Sequence, residues 1–253
     1  MSLVATARTG PVLTITLADE EHRNVLSAPM LAQLHAALDL ASASREVRVV
    51  VLTNAGRTFC AGADLATATA PGSAPGGLTE VLARIQDLDQ PVVGRIAGHC
   101  VAGGVGLAAA CDLAVATTGA TFGFTEVRLG LVPAMIAVVC LPKMRPGDAS
   151  AAMLRGGRFD AAEAARLGLI NAAVDPDELD GAVAAIVADL LAGEPEALAQ
   201  TKHLLRALPT LGREEAFAHA ARISAARFAS DAARAGVEAY RAKRPAPWVP
   251  PPA

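Results

Sequence analysis

Residues 98–113 read G-H-C-V-A-G-G-V-G-L-A-A-A-C-D-L, and how this stretch folds decides how the rest of the chain folds. It is glycine-dense, then continuously apolar, then closes on Asp112 ahead of the strand-like Leu113-Ala114-Val115-Ala116. Gly103-Gly104 permits close approach of the backbone to a ligand, because glycine has no Cβ. The run 105–110 predicts a buried helix. A helix start offers unpaired N–H groups and the positive end of a dipole, a suitable place for negative charge developing on an oxygen. Tight packing is the plain alternative for a Gly-Gly pair before an apolar helix, so the flanking chain has to decide between them.

The bulk numbers narrow the field. At 253 residues the chain can hold one large domain, or one domain with an appendage. With 53% apolar and only 19% charged residues, it can build a sizeable core and cover subunit surface as well. A net charge of −3 and 3% aromatics argue against nucleic acid, since there is neither a basic field nor a stacking platform. Cys60, Cys100, Cys111 and Cys140 show no metal-ligand spacing. They read as small buried hydrophobes in a reducing compartment, with no metal expected. The longest apolar run is interrupted by Arg95, His99, glycines and Asp112, so no membrane span is expected. With no charged-then-apolar leader, the expected location is cytoplasmic.

Strand signals dominate the first part. Runs 4–9 and 12–17 flank Gly10-Pro11 and predict a hairpin. After a polar loop, Ser27 can cap a helix with Pro29 in its first turn. Residues 47–52 predict a buried strand and 56–65 a loop with a small-residue turn at Ala61-Gly62-Ala63. Segment 66–77 is rich in Ala, Thr, Pro, Gly and Ser and predicts a mobile loop. An amphipathic helix over 78–88 precedes strands at 92–96, 113–117 and 121–124. Helices follow near 133–141 and 147–154. Asp160 and Glu163 have capping-box spacing, with Gly168 as a stop. Residues 170–174 predict a last strand. From 177 to 242 the pattern is helical, with breaks at 193–195 and 209–212.

Three segments could converge: 61–65, 103–106 and Thr125-Glu126. The first two offer a backbone N–H each, and two such donors can hold the oxygen of a polarised carbonyl through an enolate. Glu126 would supply proton chemistry. Burial among Phe122, Phe124 and Leu129 would raise its pKa into a range useful for an acid or base. Pairing with Arg128 at the surface is the plain alternative.

The ordered set F-C-A-G-A-D-L (59–65), G-H-C-V-A-G-G-V-G-L (98–107), A-C-D-L-A-V-A (110–116) and F-G-F-T-E-V-R-L-G-L-V-P (122–133) resembles the enoyl-CoA hydratase/isomerase, or crotonase, family. The resemblance spans nearly the whole chain, from R-N-V-L-S at 23–27 to the last helix. It implies an α/β fold, a crotonase-like spiral of ββα units over 1–190 with a helical oligomerisation region over 191–253, forming a homotrimer or dimer of trimers. It implies an acyl-CoA thioester as substrate, with coenzyme A part of that substrate and no separate cofactor. Ala63 and Gly103 would be the two amide donors beside Glu126. Arg23, Asn24, Leu26, Ala61, Asp64, Leu65, Gly104 and Pro133 would line the thioester and its CoA path. One departure stands out. Hydratases of the family carry two acids, and the position of the first is Gly106 here. That shifts weight from hydration towards double-bond isomerisation or a single-glutamate hydratase. His99, Cys100 and Glu80 are remote candidates for a substitute acid. Decarboxylation of a malonyl-type thioester, thioester hydrolysis and a non-catalytic acyl-CoA-binding scaffold remain alternatives.

Overall fold

A computed structural model describes residues 2–65 and 77–250; the predicted mobile loop therefore lies, except for Gly77, outside the described residues. The hairpin is present as β1 (Val4–Thr9) and β2 (Val12–Leu17), followed by α1 (Ala28–Ala43). Ser27 caps α1 by accepting the Met30 N–H, with Pro29 in the first turn. After this opening the chain repeats one unit. β3 (Val49–Asn54) leads to β4 (Thr58–Cys60) and then α2 (Leu78–Asp87). β5 (Val92–Ile96) leads to β6 (His99–Val101) and α3 (Gly103–Ala110). β7 (Leu113–Thr117) leads to β8 (Thr121–Gly123), a 3₁₀ turn (Glu126–Leu129) and α4 (Ala134–Cys140).

In each unit the first strand joins one sheet and the second joins another. The larger sheet has the order β1-β2-β3-β5-β7-β10, where β10 is Ala172–Val174, and beyond the β1/β2 hairpin all its pairs are parallel. The smaller has the order β4-β6-β8-β9, with β4, β6 and β8 parallel and β9 (Arg158–Asp160) antiparallel. The result is a spiral of ββα units.

The apolar run of β3 is buried throughout because the sheet is covered on both faces. Alternating side chains serve different cores. Val50 and Leu52 join the main core with Val92, Ala114 and Ala116. Val49 and Val51 join Val93 and Val115 under Leu179 and Val183 of α7 (Leu179–Ala192). Between these lie α5 (Pro146–Arg155) and α6 (Ala161–Arg166). Asp160 caps α6 through the Glu163 N–H, as its spacing predicted.

The segment 56–65 is not wholly loop, since it contains β4. The C-terminal helices are α8 (Pro195–Ala207), α9 (Arg213–Phe228) and α10 (Asp231–Arg241). The break between α9 and α10 falls outside the two predicted ones. There Ser230 caps α10, its side chain accepting the Ala233 N–H. Among the described residues no helix is long and apolar enough to cross a membrane.

The C-terminal helices are pinned to the spiral by buried charge. Lys202 of α8, 6% exposed, places Nζ 2.8 Å from Asp112 Oδ2 and donates to the Ile85 and Gln90 carbonyls at 3.0 and 3.1 Å. Asp112 also accepts the Val92 N–H at 2.7 Å. The closing Asp of the glycine stretch thus ties β5, α3 and α8 together. Arg48 does similar work with no carboxylate in contact among the described residues, donating to the carbonyls of Leu191, Gly193 and Trp248. Removing one partner of a buried pair strands the other charge. Lys202→Ala is therefore expected to lower stability by about 3–5 kcal/mol, measurable as a shift of the denaturant midpoint.

Candidate active site

The three converging segments follow directly from three neighbouring strands. β4, β6 and β8 lie side by side and parallel. Their C-terminal ends open into Ala61–Ala63, Ala102-Gly103 and Thr125-Glu126, so one edge of the small sheet receives all three. The carboxyl ends of parallel strands are the usual place for ligand groups in α/β sheets.

Each segment is held by main-chain bonds. Ala61 N–H donates to the Arg23 carbonyl at 3.1 Å, and Leu26 N–H donates to the Gly62 carbonyl at 2.8 Å. Leu26 and Ala63 form a parallel bridge. Gly62, at φ +93°, leaves no room for a side chain: a methyl there would lie 2.9 Å from the Ala102 Cβ and 3.3 Å from the Gly103 N. The turn carrying Ala63 is thereby pressed onto the start of α3. Ala102 N–H in turn donates to the Gly123 carbonyl at 2.9 Å, tying α3 to the strand that delivers Glu126.

Ala102 itself is the residue that the sequence concealed. It adopts φ 49° and ψ −118°, a sparsely populated conformation for a residue with a Cβ. Its ψ sets the plane of the 102–103 peptide and so aims the Gly103 N–H. Among the described residues, neither the Ala63 nor the Gly103 N–H has an acceptor. Two amides without an acceptor, at the end of the small sheet whose next strand leads to Glu126, are chemically able to receive an oxygen gaining negative charge.

Glu126 stands at the start of its 3₁₀ turn. Its Oε2 is buried without a hydrogen-bond partner among the described residues. Burial pushes the carboxyl up from its usual range, opposed by a hydrogen bond from its own backbone N–H. Phe122 and Phe124 are fully buried, whereas Leu129 is 58% exposed and shields nothing. Arg128 does not pair with Glu126; its guanidinium turns to the Arg155 carbonyl.

The other predicted ligand contacts divide. Arg23, Ala63, Asp64 and Leu65 reach the surface in part or in full, and Ala61 is half-buried beside them. Asn24 is corrected to a structural role. It is fully buried, its amide donates to the Thr58 and Ala55 carbonyls, and its Oδ1 accepts the Asp19 N–H. Gly104 is corrected as well. Its close approach is to protein, because a methyl there would lie 2.4 Å from the Cys60 carbonyl oxygen. Leu26 is buried, and its side chain backs Gly103. Pro133 is buried just ahead of α4.

The remote acid candidates stand in unlike surroundings. His99 Nδ1 accepts from the Thr121 N–H at 3.2 Å and lies 3.0 Å from the Thr121 hydroxyl. The Cys100 thiol is fully buried and held well above its ordinary pKa. Glu80 is exposed on α2. All four cysteines are free thiols.

A family model described as enoyl-CoA hydratase/isomerase matches residues 7–250. The chain belongs to that family. A Thermus thermophilus relative bearing the enoyl-CoA hydratase name is 36% identical, over 93% of this chain and 96% of the relative. The carnitinyl-CoA dehydratase of Salmonella paratyphi A is 34% identical, over 83% of this chain and 82% of the relative. Among solved structures, the Mycobacterium smegmatis enoyl-CoA hydratase superposes with a TM-score of 0.93 at 33% identity, covering 98% of this chain and 99% of the other. The crotonase fold expected from the motifs is the fold observed.

For this family member the two glycines of α3 should respond differently to a methyl group. At Gly103 the nearest obstacle is the mobile end of Leu26, 2.8 Å away; at Gly104 it is backbone. Gly104→Ala is expected to cost about 1–3 kcal/mol, and Gly103→Ala clearly less, in parallel chemical denaturation of the two variants.

Proposed function

We propose that this chain is an acid–base enzyme of acyl-CoA thioesters, with enoyl-CoA hydration as its reaction. The Ala63 and Gly103 amides receive the thioester oxygen as the enolate forms, and Glu126 moves the proton beside it. The single observation that carries this reading is a buried, unpartnered carboxylate oxygen at the same sheet edge as two uncommitted amides. The names of the hydratase and dehydratase relatives support the substrate class. Coenzyme A enters as part of the substrate. Self-association into trimers is part of the same reading. It is supported by α9, which buries none of its residues, and by Phe217, Phe228 and Tyr240, at 67%, 81% and 85% exposed.

Glu126→Gln is expected to lower kcat with crotonyl-CoA by about 10²–10⁴ while acyl-CoA binding persists; undiminished turnover would exclude Glu126 as the acid/base. The same variant has a stability signature. A carboxyl whose folded pKa lies above its unfolded value favours folding when protonated, and that advantage is lost as pH rises through the folded pKa. Glu126→Gln should therefore be more stable than the parent at pH 7. The difference should shrink as pH falls towards the ordinary glutamate value of about 4.3, as followed by denaturation at several pH values.

A second reading, double-bond isomerisation, is favoured by one specific contact. Gly106 does not merely lack the second acid: a Cβ there would lie 2.4 Å from Ile136 Cγ2 and 3.6 Å from Leu82. Ile136 is 3% exposed and packed into the main core. An apolar wall stands where a second carboxylate would hold water, and a lone glutamate suffices to take a proton from one carbon and return it to another. Gly106→Glu alone is expected to destabilise the protein without raising hydration. Gly106→Glu with Ile136→Ala should recover stability and shift products of a 3-enoyl-CoA towards the hydrated ester, as read by product analysis.

A further inference from the structure

A cavity of about 440 Å³ shares no lining residue with the amides or Glu126, although its Arg128 stands on the 3₁₀ turn that Glu126 opens. Four arginines line it: Arg128, Arg155, Arg158 and Arg166. They arrive from four different elements, the 3₁₀ turn after β8, the end of α5, β9 and α6. Two carboxylates, Asp148 and Glu163, also line it, but both are occupied. Glu163 makes a two-pronged pair with Arg166 at 2.6 and 2.7 Å. Asp148 pairs with Arg145 at 2.6 Å and reaches Arg166 at 3.4 Å. Arg128, Arg155 and Arg158 have no carboxylate partner among the described residues. The guanidinium of Arg128 makes only long bonds, 3.3 and 3.4 Å, to the Arg155 carbonyl.

Unneutralised guanidinium groups facing one concavity repel one another, and in a chain of net charge −3 this is a local reversal of sign. An anion relieves that repulsion. Phosphate fits best, because its oxygens accept the forked donors of several arginines at once. Gly157 lines the cavity too and adds no side chain between Arg128 and Arg158. We propose that this cavity binds a phosphate-bearing small molecule, separate from the thioester site and independent of the chemistry there. Arg128, Arg155 and Arg158 supply the donors, and the Glu163–Arg166 pair limits how much charge is available.

Titration calorimetry with inorganic pyrophosphate tests this on the full chain. The parent should bind saturably, more weakly as salt rises, and Arg155→Gln/Arg158→Gln should weaken binding about tenfold or more. Glu163→Gln, which releases Arg166, should tighten binding, a change of sign that lost structure would not give. A control, Arg8→Gln, removes one positive charge far along the sequence and should leave binding unaltered. Absence of saturable binding at millimolar pyrophosphate would overturn the proposal, as would equal binding by the double variant. The phosphate could also come from coenzyme A itself. KM for an acyl-CoA and for its 3′-dephospho counterpart separates the two sources. If the double variant raises KM only for the phosphorylated ester, the site belongs to the substrate and the separate-ligand assignment fails. Unchanged KM for both esters, with pyrophosphate binding lost, supports it.

Discussion

The hydrogen bond from the Ala102 N–H to the Gly123 carbonyl, at 2.9 Å, is the contact on which the site depends. It joins the start of α3 to the strand that delivers Glu126. On the other side, Gly62 packs on Ala102 and Gly103 so closely that no side chain fits between them. The two donors and the carboxylate therefore share one frame. Each comes from a different ββα unit, so no local stretch of sequence could set their separation. Only the parallel register of β4, β6 and β8, all of them three residues long, can do it. Strands so short hold little on their own. Their alignment is inherited from the longer strands of the other sheet and from the main core that fills the space around α3.

This frame explains why strain is tolerated at Ala102. A conformation costing about 1–3 kcal/mol persists only where neighbours leave no alternative. Ala102 meets that condition at both ends: its N–H is bound to Gly123, and its carbonyl accepts from Val105 and Gly106. Relaxing ψ would break the first turn of a helix buried along its whole length. The peptide plane is thus fixed before any ligand arrives, and preorganised donors are effective because reaction need not reorient them.

Much of this was legible in the sequence, and what was not has physical causes. The long strands announced themselves through Val-rich runs, and α1 and α6 through Ser27 and Asp160 at their caps. The Gly103 turn was legible because the glycines, the apolar helix and the closing Asp112 form an ordered pattern, and Glu126 stood out because it follows the strand-like run 121–124. Of the three-residue strands, those at 121–123 and 172–174 fall within predicted runs, whereas β4, β6 and β9 were hidden, since three residues carry little alternation to detect. Asn24 was misread for a related reason. A polar residue in a loop resembles a ligand contact until the Asp19, Ala55 and Thr58 groups it satisfies are placed around it, and two of those lie more than thirty residues away. Gly104 shows the same limit. Sequence shows that a close approach occurs but not to what, and here the partner is the Cys60 backbone. The pairing of Gly106 with Ile136 joins two helices across the core and leaves no local trace.

Glu126 and the amide pair pose one problem with opposite signs. In the proposed function each must stay uncommitted within the protein to act on a ligand, and uncommitted polar groups near a core are costly. The amides solve it by position, because a helix start leaves its first N–H groups unpaired in any case. The carboxylate has no such exemption. Burial lifts its pKa, which makes the neutral acid easier to keep and the carboxylate a stronger base. That same burial forfeits stability at neutral pH, where the charged form lacks a partner for Oε2. The rest of the fold must offset this. The Lys202–Asp112 pair and the two-sided burial of the large sheet lie away from the reacting edge, where rigidity constrains the frame without occupying the groups that must remain available.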